Sequence, residues 1–186
     1  MAWTLKTDAS PSRRDMTTES RADHLHVVVG EDDYLVRKKA KEIFDQLSPE
    51  FPEEFQREII DGRAGRVADV KSLVDKFRVA SQTLSLFGEG KLIWLSSLDF
   101  LADSPTGRSE GTLAEVERMQ GYLEKLDSSG MMVILSASPV DRRRKFYKWL
   151  EKTSHFVEAT SKNDRGAALR RLVDETCEDL GVTIDA

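Results

Sequence analysis

The chain has 186 residues, 39% hydrophobic and 33% charged, with a formal net charge of −5. That describes a soluble globular protein with room for one full domain and part of another, and its acidic balance leaves contact with DNA to a local patch or to a larger assembly. No apolar run approaches the roughly 20 residues of a membrane helix. Arg13 and Arg14 lack the apolar core of a secretory signal behind them, and the single cysteine, Cys177, fits a reducing cytoplasm.

Residues 1–22 are polar and without period, which predicts a flexible tail. Residues 24–29 carry Leu25, Val27, Val28 and Val29 and predict a first strand that Gly30 ends. Asp32 or Asp33 can cap a helix reaching about Leu47, with Val36, Ala40, Ile43, Phe44 and Leu47 on one face. A second strand is expected over 55–61, with Asp61-Gly62 as its turn. Val67, Val70, Leu73, Val74 and Phe77 then recur at helical spacing over about 66–80. Leu84, Leu86 and Phe87 follow that helix, and Gly88 and Gly90 break it. Leu92, Ile93, Trp94 and Leu95 form a continuous apolar run, the mark of a strand covered on both faces.

Beyond a loop at 102–107, a helix from Thr112 turns Leu113, Val116, Met119, Leu123 and Leu126 inward. Residues 131–135 read as another buried strand, and Ser138-Pro139 as a cap with proline at the first helical position. The helix so begun carries Phe146, Trp149 and Leu150. Residues 155–158 are a fifth short strand. A last helix follows from Asn163 or Asp164, with Leu169, Leu172, Val173, Cys177 and Leu180 on its apolar side and Gly181 as its stop. Five strands alternating with helices predict an α/β fold: a five-stranded parallel sheet flanked by helices. The division expected is a tail over 1–22, the α/β domain over 23–160, and over 161–186 the first helix of a following helical domain that is cut short.

The turn after the first strand is where a phosphate-binding loop would lie. That loop needs G-x-x-x-x-G-K-[ST]: glycines for close backbone approach, Lys for the phosphates, a hydroxyl for Mg²⁺. Gly30 fits the first position, but Leu35 stands for the second glycine, Val36 for Lys and Arg37 for the hydroxyl residue. Glu31, Asp32 and Asp33 set like charge against a triphosphate. After Leu95 come Ser96 and Ser97 in place of metal-binding acids, and Asp99 lies too far along to replace them. A GxSxG elbow, a HExxH pair and a CxxC pair are all missing, and His24, His26 and His155 are isolated. No catalytic residue, metal or cofactor is expected.

Three stretches, Gly30 to Val36, Leu84 to Lys91, and Val133 to Ala137 followed by Asp141-Arg142-Arg143-Arg144-Lys145, together make the chain resemble the delta subunit of the bacterial DNA polymerase III clamp loader. The likeness runs from about residue 24 onward. It implies a P-loop NTPase/AAA+-like fold without a working phosphate loop, and a subunit that binds the ring-shaped sliding clamp (the beta subunit) and lets one ring interface open. The partners implied are that clamp, the delta-prime and gamma/tau subunits, and primed DNA only within the assembly, with no membrane partner and a cytoplasmic location. Gln82, Leu84, Leu86 and Phe87 are then the clamp-binding residues, with Gln82 a polar anchor and Leu86-Phe87 the wedge. Burying one Leu and one Phe is worth roughly 3–6 kcal/mol. Arg142, Arg143, Arg144 and Lys145 are a DNA or subunit contact, or else a solvated helix face. Intrinsic catalysis is not implied, although the holoenzyme as a whole is a DNA-directed DNA polymerase, a nucleotidyltransferase. Two other readings are an AAA+ or P-loop ATPase with a degenerate phosphate loop, and a structural spacer.

Overall fold

The computed structural model describes residues 24–82, 90–126 and 130–160. Five parallel strands, β1 (Leu25–Gly30), β2 (Arg57–Asp61), β3 (Lys91–Ser96), β4 (Met131–Ala137) and β5 (His155–Ala159), form one sheet in the order β2-β3-β4-β1-β5. Parallel neighbours need crossovers, and helices supply them: α1 (Asp33–Leu47), α2 (Val67–Gln82), α3 (Pro105–Arg108), α4 (Glu110–Leu123) and α5 (Lys145–Thr153). The apolar run of β3 is buried on both faces, as its composition predicts.

The two faces are covered unequally. Val27, Val29, Ile93, Leu95, Val133 and Leu135 point to one side, where α2, α4 and α5 bring Phe77, Met119 and Leu150 into a broad core. The other side carries Val28, Leu92, Trp94 and Ile134, and α1 covers it through Val36 and Ala40, joined by Phe51 from beyond the helix. That helix lies chiefly over β1, β4 and β5 and reaches β3 only lightly. The outer part of this face therefore stays open, and Ile59 on edge strand β2 is 56% exposed. Ile59 is in register with Trp94, so the two share the open face.

Several local expectations are corrected. Residues 54–56 form a single 3₁₀ turn, so β2 begins at Arg57. The expected loop at 102–107 contains α3, because Ser104 accepts from the Gly107 N–H and Pro105 takes the first helical position. Ser138-Pro139 does not start a helix. It is a cis peptide after β4, and α5 begins only at Lys145. Val67 and Leu113 are 37% and 41% exposed: Val67 opens α2, and Leu113 lies beside the buried stripe of Thr112, Val116, Met119 and Leu123 rather than in it.

Candidate functional site

The turn after β1 is short. Gly30 closes the strand and α1 starts at Asp33, leaving Glu31 and Asp32 between them, where a phosphate loop has four residues between its glycines. The free N–H groups at the start of α1 are already engaged: Asp32 Oδ1 accepts from the amides of Tyr34 (3.0 Å) and Leu35 (3.3 Å). A carboxylate of the chain itself occupies the position an anionic ligand would take at a helix start. Val36, standing for the phosphate-binding lysine, is 1% exposed and packed in the α1 core. Leu35 is half-buried and Arg37 exposed, the latter 4.0 Å from Asp33.

At the same end of the sheet the later strands carry hydroxyls rather than acids. Ser136 lies inside β4, fully buried, and accepts from Trp94 Nε1 at 3.0 Å and from the Ser97 amide at 3.2 Å. It ties β3 to β4. The Ser97 amide bond holds a residue at φ 59, a left-handed conformation that serine rarely takes. Asp99 Oδ1 accepts from the Ala64 amide at 2.9 Å, bracing the turn after β2.

The opposite end of the sheet frames the segment expected to bind the clamp. Gln82 is the last residue of α2, exposed, and its Oε1 accepts from Arg78 Nη1 at 3.1 Å. Leu84, Leu86 and Phe87 lie outside the described residues. The chain re-enters at Gly90, which is wedged against its surroundings: a Cβ there would collide with the Gly130 carbonyl oxygen and come within 2.9 Å of the Phe51 ring. The Gly90 carbonyl accepts from Gln56 Nε2 at 3.3 Å, and the Lys91 amide donates to Gly130 at 2.8 Å. Lys91 itself is buried and paired with Glu58 at 2.6 Å. Sequence reasoning missed this bracket. Its one visible signal was a lysine opening an otherwise apolar strand.

The basic run folds as a turn before α5 rather than along a helix, with Lys145 alone in the helix. Its charge is met locally. Arg142 pairs with Glu158, Arg143 with Asp103 and Asp141 at 2.9 Å each, and Arg144 with Asp141 at 3.6 Å. The Arg143 hydrogen bonds hold the Asp141 carboxyl well below the usual carboxylate range, and the same bonds raise Arg143. Arg144 also donates to the Ala102 carbonyl at 2.8 Å and is largely buried. No group of three or more metal-ligating side chains occurs among the described residues. No described helix is long and apolar enough to cross a membrane.

A five-stranded parallel sheet with helices on both faces defines an α/β domain, with a turn of two residues between β1 and α1. Residues 26–160 match the family described as DNA polymerase III, delta subunit, and the chain belongs to that family. In three dimensions it is similar to the Bacillus subtilis DNA clamp loader delta protein (YqeN), with a TM-score of 0.50 at 17% sequence identity. The match covers 73% of this chain and 38% of that one, a likeness of fold over part of a longer protein. Comparison with curated proteins gives no match.

Proposed function

We propose that this chain is the clamp-engaging part of a clamp-loader delta subunit: it seats Leu86 and Phe87 in a pocket of the sliding clamp and favours the opened ring, without hydrolysing ATP. The observation that carries the reading is the frame around residues 83–89. The segment leaves an exposed helix end at Gln82 and returns at a glycine wedged between Phe51 and Gly130, at the end of the sheet away from the turn after β1. Fixed ends lower the entropy lost when a segment between them is ordered by a partner. A small apolar cluster commonly dominates such an interface. Ring opening follows only if that cluster binds the opened clamp more tightly than the closed one. The short turn capped by Asp32 supports the absence of ATP chemistry, so energy would enter through other subunits.

The test is a titration of the cognate clamp with wild-type protein and the Leu86→Ala/Phe87→Ala variant, without nucleotide. Wild-type binding that falls at least about a hundredfold in the variant, with an unchanged melting temperature, is the expected result. Equal affinity of the two proteins rejects the plug. Micromolar binding of Mg-ATP by calorimetry rejects the non-hydrolysing reading.

A further inference from the structure

We propose that the open groove between α1 and β3 binds single-stranded nucleic acid, with Tyr34 as a stacking platform and Arg37, Lys38 and Lys41 following the phosphates. The groove has a volume of about 460 Å³ and is lined by Asp33, Tyr34, Arg37, Lys38, Lys41 and Trp94. It exists because α1 and Phe51 cover this face only in part and leave its outer region bare. Tyr34, Arg37, Lys38 and Lys41 are spaced i, i+3, i+4 and i+7, which places them in one stripe along the helix.

The residue types in that stripe select the ligand. Tyr34 is 65% exposed, an aromatic ring held in water on a rigid helix. Trp94 forms the floor, its indole fixed by the bond to Ser136. Three cations face a single lining carboxylate, Asp33, which sits 4.0 Å from Arg37. Lys41 also pairs with Asp45 at 2.6 Å, but both side chains are more than half exposed. Exposed pairs of this kind are weak and exchange readily for another anion. A cationic groove with exposed aromatic rings is the recurring arrangement for single strands, whose bases stack without regard to sequence. An acidic peptide would use the cations but has no use for a ring exposed at the mouth. The contrast with Arg142, Arg143 and Arg144 is direct, since those arginines are each satisfied by carboxylates.

The proposal does not rest on the clamp reading, and the Leu86→Ala/Phe87→Ala variant serves as its control. Fluorescence anisotropy with a labelled oligo-dT of about twelve nucleotides, within the range such grooves cover, measures it on the full chain. Wild type binds at low salt, and its affinity falls roughly twentyfold between about 50 and about 200 mM salt, as three released counterions require. Tyr34→Ala weakens binding about fivefold or more, the size of one lost stacking contact, while Tyr34→Phe leaves it intact. Arg37→Gln/Lys38→Gln/Lys41→Gln abolishes most binding with the circular dichroism spectrum unchanged, and Arg142→Gln/Arg143→Gln changes little. Three outcomes overturn the assignment: no wild-type binding at low salt, equal affinity of wild type and Tyr34→Ala, or competition by an oligo-glutamate peptide as effective as by unlabelled oligo-dT, which would make the groove an acidic-peptide site.

Discussion

A methyl group of Val36 stands 2.8 Å from the point where a side chain on Gly30 would begin, and the Ala159 carbonyl oxygen stands 2.5 Å from it. The glycine that fits the first position of a phosphate-loop pattern thus serves packing between β1, α1 and β5. Gly30→Ala forces a methyl into backbone and a buried β-branched side chain, neither of which yields easily. We expect it to cost about 2–4 kcal/mol, at or above the upper end for overpacking because one obstacle is main chain. A urea titration followed by circular dichroism gives the value. A loss below about 0.5 kcal/mol, the size of ordinary surface substitutions, would mean that the turn relaxes freely.

Much of this fold was legible because its signals were local. Continuous apolar runs marked β3 and β4, and β3 extends the run Leu92 to Leu95 by one residue at each end, Lys91 and Ser96. The departures from a phosphate-loop pattern are readable position by position from Gly30 to Arg37. What was not readable depended on distant partners. Nothing near Ser136 in sequence announces Trp94, 42 residues away. The basic run looked free because its carboxylates, Asp103 and Glu158, come from other elements. The stripe of Tyr34, Arg37, Lys38 and Lys41 has a plain helical period, yet only the uneven cover of the sheet shows that it borders a groove.

Ser136 holds two buried donors, the Trp94 indole N–H and the Ser97 amide. Ser136→Ala leaves both without that acceptor in a dry interior. The expected destabilisation is about 2–4 kcal/mol, since each orphaned donor costs about 1–3 kcal/mol and some relaxation is available. Trp94 fluorescence should change along with the midpoint. A variant as stable as wild type would show that the two donors find other acceptors.

The Lys91–Glu58 pair is asymmetric: the Lys91 side chain is 10% exposed and that of Glu58 41%. Removing the exposed partner's charge strands a buried ammonium, so Glu58→Gln should cost about 1–2 kcal/mol, less than a fully buried pair because Glu58 is partly hydrated. Lys91→Met replaces the buried charge with an apolar chain of similar length and frees a half-exposed carboxylate to water. It should fall within about 1 kcal/mol of wild type. Chemical denaturation of both variants and of the double variant measures the coupling. Because Lys91 anchors the return of the 83–89 segment, Glu58→Gln should also weaken clamp binding if that frame matters.

His26 and His155 are register partners on the neighbouring strands β1 and β5, with ring centroids 5.0 Å apart and planes 21° from parallel. Burial, and after it the charge of His155, holds His26 below its ordinary value of 6.5. The folded state therefore resists protonation where the unfolded chain accepts it. The unfolded chain binds more protons in that window, so stability rises with pH through it. The contribution is fully present above about pH 6.5 and is lost as pH falls from there toward the depressed folded value, below which the loss levels off. Denaturation midpoints should drop between about pH 7 and about pH 5 in wild type, and the drop should be smaller in His26→Gln, which has no imidazole to charge. His155→Gln should keep most of the wild-type slope, because burial is the larger cause and remains. A slope as steep in His26→Gln as in wild type would assign the pH dependence to other groups.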